Sequence, residues 1–351
     1  MGQRVLPAME EAYRSLYALL GASDQDTILF TSSGTEAINQ VLQSAYFDVT
    51  RPTGKNHFIT SSIDEAPAIL TLGHLEQLGA VSKAAAVTKG GYVTAELIGD
   101  AITPRTALVS LSWANGLTGV MNPVAEIAAL CKQRGILFHL DASHVLGKLY
   151  FDLSEIGADF ITFNGEQIHG PKGAGGLYIR NKARLSPLIF GGMQQGGHRG
   201  GDVNVPALVG LGQAAREALE SRDLLCTEVA RLRNRLEEGI LQAYPEAKVF
   251  YRDQERLPNV TTIAFPGIAN EALLFALNRH SLYATMGGGN FQQIGLLLTA
   301  TGVSELLSHT ALSFSLSRMT YEDEIERAIA IITESAKKLR SLSQHILRVS
   351  A

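Results

Sequence analysis

Short apolar runs alternate with helix-length amphipathic stretches through the first two hundred residues of the chain. The runs are TILFT, HFITS, VSKAAAV, TALVSLS, GILFHLD, DFITF and GLYIR. Each is short, bounded by turn-forming residues and too continuously apolar to leave one face wet, which predicts buried strands. Between them the apolar positions recur every three to four residues. In NPVAEIAALCKQRG, Asn122 is read as the helix cap, Pro123 as a first-turn residue and Gly135 as the terminator. Strands linked by crossover helices in this way predict an α/β fold with a large, mainly parallel sheet covered on both faces.

Beyond residue 205 the pattern changes. LVGLGQAAREALESRDLLCTEVARLRNRLEEGILQAY predicts one long charged helix bridging to a second part. That part reads as a helix, a strand in NVTTIAF, a helix in NEALLFALNRH, strands in SLYAT and ALSFSLS, and a terminal helix from Glu322. The expected organisation is a large domain over residues 1–215 and a small C-terminal α+β domain over 216–351.

Composition narrows the functional classes. The 351 residues are 46% hydrophobic and 18% charged, with a formal net charge of -4, as in ordinary globular proteins. The mild acidity and the lack of a Lys/Arg cluster argue against nucleic acid and membrane surfaces as partners. No stretch approaches the roughly 18 uncharged apolar residues of a membrane span, so a cytoplasmic protein is expected. Cys131 and Cys226 lie in helical patterns without CxxC spacing, and give neither a metal site nor a disulfide framework.

Four stretches carry candidate chemistry. ILFTSSGTEAINQVL is a strand, a small-residue turn and a helix. Free N–H groups at such a helix start can cradle a phosphate, and Ser33 with Glu36 can form a capping box there. GILFHLDASHVLGK puts Asp141 at the carboxyl end of a strand, where ligands bind in open α/β sheets. SWANGLTGVMNP puts Trp113 and Asn115 in the equivalent place after TALVSLS. FNGEQIHGPKG, residues 163–173, is a glycine-containing loop between two strands with Glu166 and Gln167 at its centre.

Together with DFITFNGEQIHGPKGAGGLYIR, GGMQQGGHRGGDVNVPALVGLGQA and FSLSRMTYEDEIERA, these stretches resemble the cysteine desulfurase branch of the class V aminotransferases, pyridoxal phosphate (PLP) enzymes of fold type I. The likeness runs from about Glu11 to the C-terminus. Relatives carry a further N-terminal stretch, with a short motif rich in Asp, Ala and Thr, that has no counterpart in these residues. The resemblance implies that Gly34 and Thr35 hold the cofactor phosphate, that Asp141 pairs with the pyridine nitrogen, and that Asn115 lies near the phenolic oxygen.

Other positions depart from the family. Its loop reads Ser, a small residue, His and then the Schiff-base Lys, where this chain has Asn164, Gly165, Glu166 and Gln167. The ring-stacking His falls on Glu65, the Gln at the ring oxygen on His144, the partner subunit's phosphate-binding hydroxyl on Asp202, and the substrate-binding Arg on Ser313. The mobile loop YATMGGGNFQQIG contains no nucleophilic Cys. Lys172 of GPKG corresponds to a separate family position that forms no imine.

These departures predict a degenerate member that is inactive as a desulfurase and works by binding. Its expected partners are a second copy of itself and a sulfur-transfer or iron-sulfur assembly protein. Glu65, Glu166 and Asp202 place carboxylates around a phosphate site, each like-charge contact costing about 4 kcal/mol at 4 Å and an effective dielectric of about 20. No cofactor is therefore expected, and PLP or pyridoxamine phosphate only if held non-covalently. Two alternatives stand beside this reading. One is altered chemistry with pyridoxamine phosphate or no cofactor, Glu166 and His144 acting as an acid/base pair. The other is an active PLP-dependent desulfurase or aminotransferase.

Overall fold

The computed structural model describes residues 4–288 and 292–349, and it separates into two compact units. The first comprises residues up to 86, 93–114 and 122–222, and the second 87–92, 115–121 and 223 onwards. Helix α1 (Leu6–Leu20) leads into strand β1 (Thr27–Thr31), helix α2 (Gly34–Ala45) and strands β2 (His57–Ser61), β3 (Val81–Ala85), β4 (Thr106–Ser112), β5 (Leu137–Asp141), β6 (Phe160–Asn164) and β7 (Gly175–Ile179). These strands form one seven-stranded sheet in the order β1-β7-β6-β5-β4-β2-β3. Only β7 runs antiparallel to its neighbours. The fold is the expected fold-type-I α/β sandwich.

The continuous apolar runs are buried because helices cover both faces: every residue of β2, β4 and β7 is buried. β3 is the exception. It is the sheet's edge, four of its five residues are at least partly exposed, and it stops at Ala85 rather than Val87, since an edge strand has one neighbour to cover it. Because β1, β2, β4, β5 and β6 all point the same way, their carboxyl ends share one rim of the sheet. That rim holds the candidate site.

Two predicted elements differ. The long bridging helix is broken at Ser221, after a helix over Val205–Glu220, and it continues through a short α-helical turn at Arg222–Leu224 and a π-turn at Leu225–Val229 before the helix Ala230–Ala243. The Ser221 hydroxyl donates to the Glu217 carbonyl at 2.6 Å, a local bond that competes with the helix ladder. In the second unit SLYAT forms no strand. Only Thr285 bridges, to Ser313, beside a three-stranded sheet of Lys248–Val249, Val260–Ala264 and Ala311–Ser315.

Asn122 does not cap the helix Val124–Arg134. Its amide accepts from Val93 N at 2.8 Å and donates to Ser112 O at 2.7 Å, tying the chain after β4 to the β3–β4 connection. Gly135 does end that helix, in the left-handed conformation.

Candidate functional site

At the rim, β1 passes into α2 through Ser32, Ser33 and Gly34. Ser33 Oγ accepts from Glu36 N at 3.1 Å and Glu36 Oε2 accepts from Ser32 N at 2.8 Å, so the capping box is present in a shifted form. Glu36 is further held by Arg199, whose Nε lies 2.9 Å away. Gly175, the first residue of β7, sits directly under this turn. A Cβ there would lie 2.5 Å from the Ser33 carbonyl carbon and 2.7 Å from Gly34 N, so only glycine fits. Across Gly175, the Asn164 side chain accepts from Gly34 N at 2.6 Å. Among the described residues, the next helix N–H, that of Thr35, carries no such bond.

Asp141 closes β5 and is buried. Ser143 N (3.0 Å), Ser143 Oγ (2.6 Å) and Thr162 Oγ1 (3.3 Å) all donate to its Oδ1, which leaves Oδ2 for a ligand. Burial and the neighbouring Glu65 push its carboxyl above the ordinary range, against the lowering effects of Ser143 and His144. Beneath it, His139 bridges Ser110 Oγ (2.8 Å) and Thr162 Oγ1 (3.0 Å), and burial lowers its pKa to about 3. A neutral His139 therefore orients Thr162 toward Asp141.

His144 and Glu65 face each other, Nε2 to Oε1 at 3.3 Å, with 22% and 18% of their side chains exposed. The expected pairing of His144 with Glu166 is not found. Glu166 is exposed, because the 3-10 turn Gly165–Ile168 directs it outward. Asp202 is exposed as well. Glu65 therefore has an imidazole partner and Glu166 reaches solvent, which corrects the expectation that these two crowd the phosphate.

Below Glu65 lies Asp64, a carboxylate that sequence reasoning missed. It accepts from Thr60 Oγ1 (3.0 Å), Glu65 N (2.8 Å) and the Ser112 N–H (3.2 Å), yet burial outweighs these donors and raises its pKa to about 6. Lys148, also missed, donates to the His144 carbonyl at 3.0 Å, and burial lowers its pKa to about 8. A signal for Asp64 was present in its position just past the apolar run HFITS.

Gln167 is half-buried in the turn after β6, and among the described residues its amide has no hydrogen-bond partner. Lys172 is exposed beyond it. Asn115 and Ser313 belong to the second unit. Asn115 Oδ1 accepts from Leu117 N at 2.9 Å and Thr118 N at 3.0 Å, and the buried Ser313 donates to the Leu117 carbonyl at 2.6 Å. Of the loop expected to carry a nucleophile, residues 289–291 lie outside the described residues. Cys131 is buried and its thiol is pushed up to about 12 by that burial, which makes it inert. Among the described residues no group of His, Cys, Asp and Glu could hold a metal ion, and no helix is long and apolar enough to cross a membrane.

The profile of the family described as Aminotransferase class-V matches residues 1–327. The chain is 37% identical to a cysteine desulfurase of Nostoc sp., over 97% of this chain and 85% of that one. It is 36% identical to the cysteine desulfurase NifS of Azotobacter vinelandii, over 98% and 86%. A solved NifS-like protein superposes with a TM-score of 0.89 at 30% identity, covering 97% of this chain and 90% of its own.

These relatives overturn the expectation of no cofactor, because class V aminotransferases and cysteine desulfurases depend on PLP, which makes PLP the cofactor expected here. The residues present fit it in part. Asp141 Oδ2 suits a protonated pyridine nitrogen, whereas at the start of α2 the Gly34 N–H is already taken by Asn164, and the Gln167 amide cannot condense with an aldehyde. The chain belongs to the class V aminotransferases, in their NifS-like cysteine desulfurase branch.

Proposed function

We propose that this protein is a non-desulfurating member of its family that holds PLP without a Schiff base and acts through binding. The observation that carries the reading is Gln167, half-buried at the end of β6 in the turn where the family places its imine-forming lysine. Ser313 supports it, since it supplies a hydroxyl committed to a backbone carbonyl where a carboxylate-binding Arg would stand. The residues of this chain bind and orient. Asp141, held by Ser143 and Thr162, takes the ring nitrogen, and the Glu65–His144 pair borders it. Bound PLP would bring an electron-withdrawing ring and an aldehyde, but this chain offers no amine at position 167 to anchor it.

The partners in this reading are a second copy of the chain and a sulfur-transfer or iron-sulfur assembly protein. The segment after β7 supports the first, because it exposes Phe190 (80%) and Met193 (82%) beside Ile189, an apolar group that self-association would cover. The test is alanine release from cysteine by PLP-loaded protein. No release above a protein-free control is expected, and turnover would reject the reading.

A further inference from the structure

The start of α2 is narrower than a phosphate cradle needs to be. Gly34 N–H, which should donate to a phosphate oxygen, is already bonded to Asn164 Oδ1 at 2.6 Å. The amide also fills the space over Gly34, since a Cβ added there would meet Asn164 Cγ, Nδ2 and Oδ1 at 3.2 to 3.3 Å. The amide therefore lies flat against the Gly34 backbone. The turn cannot retreat from it. Gly175 supports the Ser33–Gly34 peptide from below with no space to spare, and Glu36, bonded to Ser32 N and to Arg199, holds the other side. Asn164 itself is fixed in register as the last residue of β6, opposite Gly175. A serine in its place would end one heavy atom sooner and leave the Gly34 N–H free.

We propose that Asn164 is a latch on the phosphate cradle, so that one side chain sets how strongly this protein prefers phosphorylated over unphosphorylated pyridoxal. The proposal rests on the reading that PLP is held non-covalently. A phosphate dianion can claim Gly34 N–H only if the amide swings out, and while Oδ1 stays, its lone pairs face the incoming oxygens. Each bound phosphate therefore forgoes one charge-assisted hydrogen bond or must displace a neutral one. Opening the latch should tighten phosphate binding by about tenfold, the equivalent of one such bond. The ring contacts at Asp141 are untouched by the change.

The experiment is calorimetric titration of the full chain, wild type and Asn164→Ala, with PLP and with pyridoxal; Asn164→Ser replaces the alanine variant if that fails to fold. The expected result is a PLP dissociation constant lowered about tenfold in the variant, with that of pyridoxal changed less than twofold. PLP binding that is unchanged or weaker in the variant overturns the latch, since Asn164 would then be neutral or a phosphate ligand. Binding of PLP by neither protein overturns it too. An imine absorbance band during the same titration would instead reject the non-covalent reading, and leaves the comparison of constants to judge the latch.

Discussion

Removing either member of the Glu65–His144 pair should destabilise the first unit, and removing both should cost less than the sum. At 3.3 Å the bare attraction between the charged forms is about 5 kcal/mol at an effective dielectric of about 20. Desolvation of both groups and the residual exposure of about a fifth of each side chain reduce this, so a coupling of about 1–2 kcal/mol is expected. The two single variants should differ. His144→Ala leaves Glu65 beside Asp141 and the buried Asp64, both pushed toward protonation by burial, to which Glu65 adds. It should therefore cost more than Glu65→Ala.

The assay is urea unfolding followed by the fluorescence of Trp113, the chain's single tryptophan, which is buried in the same unit against Phe151. The cycle compares wild type, both single variants and the double variant in one buffer, and a coupling below about 0.3 kcal/mol would refute the pairing.

Asp64 has its pKa raised in the folded protein from 3.8 to about 6, so the folded state binds its proton more tightly and stability should fall as pH rises between those values. The penalty reaches about 3 kcal/mol above pH 6; Asp64→Asn should flatten that slope, and an unchanged slope would count against the burial argument. Gly175→Ala places a Cβ 2.5 Å from Ser33; it should lower the urea midpoint of the first unit and weaken PLP binding, and wild-type values in both would show that the turn has room. In the second unit, the fully buried Glu237 meets Arg252 and Arg256, each at 3.0 Å. Glu237→Gln strands the buried Arg256 and should cost about 3–5 kcal/mol in chemical denaturation, whereas a loss under 1 kcal/mol would mean that the arginines find water.

Local and period-bound features of this fold are legible in the sequence. The apolar runs become the seven strands, Ser33 and Glu36 cap α2, Gly135 ends its helix, and Asp141 arrives at a strand end because all of these depend on neighbours close in sequence. The site's misread parts depend on residues that meet only through the sheet. Asn164 reaches Gly34 because β6 and β1 flank β7, an order that no periodicity reveals. Glu65 and His144 meet because β2 and β5 both flank β4; read singly, each looked like a charge in the wrong place. Asn122 resembled a cap because the residue type and the following proline fit one, but two backbone groups from neighbouring segments claimed its amide first.

The central claim is that position 167 cannot anchor a pyridoxal ring. Its most direct test is borohydride reduction of the protein with stoichiometric PLP, followed by intact mass and peptide mapping, on the wild type and on Gln167→Lys. The account predicts no phosphopyridoxyl adduct on the wild type and a single adduct at residue 167 in the variant. A stoichiometric adduct on the wild type, mapped to Lys148 or Lys172, would show that the chain has kept imine chemistry by another lysine and would contradict it.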